Sequence, residues 1–246
     1  MREFTVNADD FGWSESCTKA ILESFENGWI QTSTMIAPGA FFDEAAELVK
    51  ASALKDRLGI HFDLTEGTPL TDGIKKDPFF CDENGVFHMH PQRYKPLSRE
   101  TKQNAYLELK AQAKRFFDTG LACHHADSHH HIHTAPFIFP IARDVAKEFG
   151  IKSFRLTRDL GSASFPKSVL KRAFNARLRH LGMAYTDHFG SFADAASLPA
   201  DGEDLIEVMC HPDYDAEGKL VDRNDKAPYD DPFGKELKTL VEKLHG

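Results

Sequence analysis

The densest run of side chains able to do chemistry is Asp127-Ser128-His129-His130-His131-Ile132-His133, and six of the 13 histidines fall between His124 and His133. Imidazole is the commonest side-chain metal ligand, and an adjacent carboxylate can fix its tautomer or share the ion. A purification tag or loose surface metal tract is the plain alternative, but a tag would be terminal and uninterrupted, and this run is internal and broken by Asp, Ser and Ile. A second concentration is Asp9-Asp10, after the β-type run Phe4-Thr5-Val6-Asn7-Ala8. Adjacent carboxylates raise one another's pKa unless a cation sits between them; the bland reading is an Asx turn or cap before a helix at Ser14. Successive residues at a strand end point opposite ways, so one of the pair would bind metal and the other could act as a base.

Two more histidines end strand-like runs. His61 shares its parity with Asp63, opposite to the apolar Leu58, Ile60, Phe62 and Leu64, and His211 follows Asp204–Cys210 directly. Each alone reads as well as a satisfied buried residue. Together with the acidic pair and the histidine run, they match a mononuclear site of the Asp-His-His type, whose three protein ligands leave positions open for water and a substrate oxygen. An ion there would polarise a carbonyl and acidify water, a separate carboxylate would take the proton, and a histidine opposite could protonate a leaving group. These are the parts needed to hydrolyse an amide or ester.

Such groups must be positioned by strand ends. Strand patterns at Phe4–Ala8, Thr32–Ala37, Leu58–Leu64, the run into Asp127, Lys152–Leu156, Ala184–Phe189 and Asp204–Cys210 alternate with helical patterns: Ser14 to Gly28, Asp43 to Ser52, Ser98 to Gly120, Pro136 to Phe149, Pro166 to Leu181 and Gly234 to Leu244. That alternation is the signature of parallel βαβ units. The candidate groups end many different strands, and no G-x-G-x-x-G or Walker loop is present, so a closed α/β barrel of about seven parallel strands, fewer than eight, is expected rather than an open nucleotide-binding sheet. No boundary interrupts the rhythm, and residues 1–246 read as one domain. The long unpatterned stretch Glu66–Leu97 leaves the end of the His61 strand and is expected to form part of the rim over the site.

Composition limits the partners. Lys plus Arg is 30 against 38 for Asp plus Glu, a net charge of −8, which argues against a nucleic-acid footprint or a polybasic membrane surface. No run approaches the ~20 apolar residues of a membrane span. The four scattered cysteines form no Cys-x-x-Cys pair and read as reduced residues of a cytoplasmic protein, and the N-terminus shows no signal-peptide h-region.

The motifs Asn7-Ala8-Asp9-Asp10-Phe11-Gly12, Gly59 through Gly67, Asp127 through His133 and Glu207-Val208-Met209-Cys210-His211-Pro212 resemble those of the YdjC/ChbG-like carbohydrate deacetylases, in order and spacing over most of the chain. The resemblance implies a TIM-barrel-like fold and divalent-metal-dependent removal of acetyl groups from N-acetylated sugars, chito-oligosaccharides such as diacetylchitobiose or its 6-phosphate. It implies Asp10, His61 and His129 as metal ligands, Asp9 as general base, and His211 as acid or oxyanion partner. The match assigns no ligand role to His130, His131 or His133; these, with Asp63, Asp127 and Arg155, would orient those groups or line the sugar cleft. The cofactor would be one divalent ion, Mg or Zn, with Mn or Co open. The partner would be a small N-acetylated sugar, phosphorylated or not, with a homodimer left open. The segment after Tyr214, rich in Asp, Lys and Pro, departs from the pattern, as does the end of the chain at Gly246, so barrel closure is left open.

Arg155 and Arg158 follow a strand and could meet a sugar phosphate, with solvated charge the equal alternative. His88 and His90 read as surface residues, and Lys167, Lys171, Arg172, Arg177 and Arg179 as the wet face of a helix. Two other functions compete. A phosphoesterase on a similar barrel would need two or three metals and more bridging carboxylates, and a metal-buffering protein would have no use for a spare carboxylate at Asp9.

Overall fold

The structure, a computed structural model, describes residues 2–89, 92–161, 165–199, 201–224 and 235–245. Its elements run β1 (Glu3–Phe11), α1 (Glu15–Glu26), β2 (Thr32–Ile36), α2 (Phe42–Val49), β3 (Leu58–Phe62), α3 (Asp72–Lys75), α4 (Arg99–Asp118), β4 (Ala126–Ser128), α5 (Phe139–Glu148), α6 (Phe165–His180), β5 (His188–Gly190), α7 (Phe192–Ala195), β6 (Leu205–Cys210), β7 (Pro212–Tyr214), β8 (Leu220–Asp222) and α8 (Leu237–His245). A short 3₁₀ turn covers Ala53–Arg57, and His129–Thr134 is a tight turn broken by left-handed backbone at His130 and His131. No helix among the described residues is long and apolar enough to cross a membrane.

Six strands form one curled sheet in the order β4-β3-β2-β1-β6-β5, every neighbouring pair parallel. Parallel strands covered on both faces read as near-continuous apolar runs, and every residue of β2 and β3 is buried. The helices follow from caps and spacing. The Ser14 hydroxyl accepts from the Cys17 N–H, and Cys17, Ala20 and Ile21 then face the core. Ser98 likewise caps α4, which buries Ala105, Leu109, Ala113 and Phe116. The same face of α4 carries buried Glu108 and Gln112. Gln112 bonds both the N–H and the carbonyl of Asp63, and Glu108 accepts from the N–H groups of Leu70 and Thr71. They pin the chain as it leaves β3 for the long stretch, which carries α3 and an antiparallel bridge between Cys81 and Phe87.

Several expected elements are shorter than their patterns. Over Lys152–Leu156 only Phe154 pairs, with a parallel bridge to Ala126 on one side and to Ala184 on the other. β4 is three residues long, so it can offer this segment no longer ladder. The strand expected from Ala184 is β5, and the helix expected from Pro136 begins at Phe139, with Pro140 in its first turn where a missing N–H costs nothing. The last helix was expected from Gly234, which lies outside the described residues. After β6 the chain turns back as the antiparallel β7–β8 hairpin, a feature that no sequence pattern announced.

Candidate active site

The C-terminal ends of β1, β3, β4 and β6 converge on a cleft of about 580 Å³ whose lining includes Asp9, Trp13, His61, Glu66, His129 and His211. At the end of β1, Ala8 pairs with Ser33 and Phe11 with Met35, so three steps on β1 match two on β2. This one-residue bulge re-aims side chains, and Asp10 takes a left-handed conformation with φ 71°, which Asp tolerates better than most residues. The adjacent carboxylates thereby serve different neighbours.

Asp10 is fully buried and faces two imidazoles: its Oδ1 lies 3.2 Å from His61 Nε2 and 2.9 Å from His129 Nδ1. Its Oδ2 accepts from Arg223, on the turn after β8, at 2.6 Å. Burial by itself would raise the Asp10 pKa, but His129 and His61 overcome it and hold the carboxyl well below its usual range. Burial would lower the pKa of His61, but Asp127 and Asp10 raise it well above the usual imidazole value; His129, beside Asp10, is likewise pushed up to about 9. Two imidazoles that hold protons so tightly beside a carboxylate that refuses one mark a place whose field favours a cation. One donor atom from each of Asp10, His61 and His129 lies within 4.8 Å of the others, so this buried carboxylate–imidazole set could hold a metal ion.

Each imidazole is oriented from behind. His61 Nδ1 lies 2.7 Å from Asp127 Oδ1 and 3.2 Å from the Thr34 hydroxyl, leaving Nε2 directed at Asp10. His129 stacks on Trp13, ring centroids 5.4 Å apart, and its Nε2 lies 3.0 Å from Glu66 Oε2. The histidine run itself is tightly turned. His130 and His131 both have positive φ, 49° and 54°, a conformation costing ~1–3 kcal/mol per residue unless the surroundings impose it. Here Arg93, from the long stretch, donates to the carbonyls of both, and the Ser128 hydroxyl accepts from the His133 N–H.

Asp9 faces the other way. Arg155 donates to both of its oxygens, at 2.6 and 2.7 Å, and Asn7 Nδ2 donates to Oδ1 at 2.9 Å. The same guanidinium reaches Asp127 at 2.7 Å and Glu207 at 2.7 Å. Arg155 is fully buried within this acidic ring, so it cannot meet a sugar phosphate, whereas Arg158, paired with Asp194 through two prongs, has a side chain 44% exposed and lines a neighbouring cavity. Burial pushes the Glu207 carboxyl up to about 7 despite Arg155. His211 Nε2 lies 3.8 Å from Asp9 Oδ2, and its Nδ1 3.9 Å from Asp222 on β8.

The remaining residues singled out in the sequence lie around this centre. Asp63 Oδ1 accepts from the Thr65 N–H and hydroxyl, while Oδ2 is buried without a hydrogen-bond partner, and burial pushes the group up to about 6. His133 is buried away from the cleft, bonded to Ser128 and the Arg155 carbonyl and packed near Phe154. His131 lines the cleft edge-on to Phe189. His88 is exposed, and His90 lies outside the described residues. Glu66 and Arg93 bring the Glu66–Leu97 stretch to the cleft, on the rim where it was expected.

Sequence reasoning passed over Glu66, Trp13, Glu207 and Arg223. Glu207 did carry a signal: an acid inside Leu-Ile-Glu-Val-Met-Cys must be paired if that strand is buried. Arg223 carried none, because it arrives from a hairpin with no recognisable pattern.

The YdjC-like protein family model matches residues 3–243. The chain belongs to this family. Among YdjC-like relatives, a protein named carbohydrate deacetylase from Geobacillus stearothermophilus is 34% identical over 215 residues, covering 85% of this chain and 78% of its own. One named chitooligosaccharide deacetylase from Citrobacter koseri is 33% identical over 219 residues, covering 87% of this chain and 82% of its own. A crystal structure from Enterococcus faecalis V583, named for cellobiose-phosphate cleavage, shares the fold with a TM-score of 0.73 at 21% identity, covering 99% of this chain and 92% of that one.

Proposed function

We propose that this YdjC-like chain removes acetyl groups from N-acetylated sugars of the chitooligosaccharide class, as a hydrolase dependent on one divalent ion. The observation that carries the reading is the division of labour at the end of β1: Asp10 is turned to His61 and His129, while Asp9, one residue earlier, stands apart on Arg155. A metal buffer has no need of the second carboxylate. The names of the relatives support the substrate class.

In this reading Asp10, His61 and His129 hold the ion, Mg or Zn with Mn or Co as alternatives. When bound, it would polarise the acetyl carbonyl and lower the pKa of water. Asp9 takes the proton of the attacking water, its carboxylate held in one orientation by the Arg155 fork. His211, across the cleft wall from Asp9, supplies a proton to the departing sugar amine. Trp13 offers a flat apolar face on which a pyranose ring can pack. A second cavity, of about 500 Å³, shares Arg93, His131 and Met209 with the cleft and adds Lys167, Lys171 and Arg177; this favours a substrate longer than one sugar and tolerant of an anionic substituent. The same reading takes residues 1–246 as one cytoplasmic unit, and the Phe154 bridges to Ala126 and Ala184 as a seventh strand closing the curled sheet into a barrel.

The test is a panel of N-acetylated mono-, di- and trisaccharides, with and without a 6-phosphate, assayed for equal release of acetate and free amine. Release of phosphate, or of neither product, would overturn the assignment.

A further inference from the structure

We propose that the cleft carries an outer cation position, built from Glu66, His129 and His130, which a divalent ion occupies in alternation with the inner Asp10–His61–His129 position. The proposal rests on the preceding reading only in taking those three residues as the inner ligands. Donor atoms of Glu66, His129 and His130 lie within 4.8 Å of one another. Glu66 Oε2 is 3.0 Å from His129 Nε2 and 3.8 Å from His130 Nε2. Ligands held ~2.0–2.2 Å from one ion sit roughly 3–3.5 Å apart around it, so this set needs only a small contraction.

The hydrogen bonds fix which atoms face that space. The Thr65 hydroxyl donates to Asp63 Oδ1 at 2.8 Å, so towards His130 Nδ1, 3.0 Å away, it accepts. The His130 proton is thereby placed on Nδ1, and the Nε2 lone pair looks towards the Glu66 carboxylate. With His129 Nε2, it gives the Glu66 carboxylate two imidazole nitrogens on one side. The left-handed turn at His130, held by Arg93 on its carbonyl, sets this ring beside His129, centroids 4.2 Å apart.

His129 couples the two positions. It has a carboxylate at each nitrogen, Asp10 Oδ1 at 2.9 Å from Nδ1 and Glu66 Oε2 at 3.0 Å from Nε2. A neutral imidazole has one lone pair and one N–H. Inner ligation uses Nδ1 and leaves Nε2–H to donate to Glu66; outer ligation uses Nε2 and leaves Nδ1–H to donate to Asp10. Full ligation at one position therefore excludes it at the other. The side chains of Glu66 and His130 are 36% and 33% exposed, against 0% and 2% for Asp10 and His61. An ion arriving from solvent meets the outer set first, and moves inward as the His129 proton changes nitrogen.

The test uses Co²⁺ alone as the probe, with stoichiometry from calorimetry and ligand type from the visible spectrum, on proteins whose fold is checked by thermal melting. Wild type is expected to bind one ion per chain, and so is Glu66→Gln. His61→Ala should still bind one, at least about tenfold more weakly, and Asp10→Asn gives the same measurement should His61→Ala fail to fold. Adding Glu66→Gln to either inner variant should abolish that remaining binding. Simultaneous binding of two ions by wild type would overturn the alternation. So would inner variants that bind no cobalt, or double variants that bind as well as the single ones. Loss of the ion from Glu66→Gln alone would overturn both the alternation and the inner assignment, whereas a failure of acetate release with these titrations intact would touch only the proposed activity.

Discussion

Replacing Arg155 by Met removes the guanidinium that Asp9, Asp127 and Glu207 share. The side chain is fully buried, donates to Asp9 at 2.6 and 2.7 Å, and reaches Asp127 and Glu207 at 2.7 Å each. Met fills much of the volume, so the loss is electrostatic rather than a cavity. Removing one partner of a buried ion pair costs about 3–5 kcal/mol because the other charge is left uncompensated. The three acids share one partner, so their losses do not add. Total stability of such a domain is ~5–15 kcal/mol, so the variant should fold but with its urea midpoint lowered by roughly 1–3 M. The pH dependence separates this cause from poor packing. In the wild type, Arg155 and His61 overcome burial and hold the Asp127 carboxyl well below its usual range. A depressed folded pKa contributes stability that is present above the unfolded pKa of ~3.9 and is lost as pH falls through the folded value. Without Arg155 only His61 still opposes burial at Asp127, so the carboxyl rises and the variant gains less stability than the wild type as pH rises. The gap between the two proteins should therefore widen from about pH 4 to about pH 7, in urea titrations followed by circular dichroism. Arg155→Lys should recover little, since an ammonium cannot bridge two oxygens as the fork does. A deficit below about 1 kcal/mol at neutral pH, or one that grows on acidification, would refute the reasoning.

Asp9→Asn keeps shape and hydrogen bonding but cannot accept a proton; we expect normal fold, near-normal metal content and a rate at least about 10²-fold lower, and loss of the metal would make Asp9 a ligand instead. Alanine at His129 should strip most bound metal from the inner position, measured by elemental analysis, whereas His133→Ala should lower thermal stability and leave metal content unchanged, because His133 bonds Ser128 and the Arg155 carbonyl away from the cleft. His125 is stacked on Tyr185 at 3.9 Å with neither ring nitrogen hydrogen-bonded, and burial pushes its pKa down to about 4. His125 should contribute up to about 3 kcal/mol to a loss of stability as pH drops from ~6.5 towards 4, and His125→Phe should shrink that slope without abolishing it, because burial also holds His130 and His133 down to about 4; a slope left unchanged by His125→Phe would mean that protonated His125 finds a partner.

Much of this centre is legible in the chain because the decisive residues end strands. Asp10, His61, Asp127, His129 and His211 each stand where an apolar run stops, and parallel βαβ alternation brings strand ends together. The separation of Asp9 from Asp10 was also readable from strand parity, though the bulge that turns Asp10 was not, since one extra residue against β2 exists only once the register is set. Arg155 read equally as a cleft residue and as one that orients the site's groups; its burial fits only the second, and its partners on β1, β4 and β6 left no local trace because pairing over such separations has none. The Lys152–Leu156 segment has strand composition and makes a single bridging residue, because the length of its neighbour β4 decides the ladder. Arg223 and Glu66 come from a hairpin and a long irregular stretch, where neither period nor spacing marks a functional side chain.

The most direct measurement is turnover of diacetylchitobiose by protein stripped with chelator and then titrated separately with Mg²⁺, Zn²⁺, Mn²⁺ and Co²⁺, acetate being counted against ion bound. We expect no acetate from the stripped protein, recovery that saturates at one ion per chain, and no recovery in Asp10→Asn at any ion concentration that restores the wild type. Full activity in the stripped protein, or recovery only as further ions bind beyond the first, would contradict a mononuclear deacetylase built on Asp10, His61 and His129.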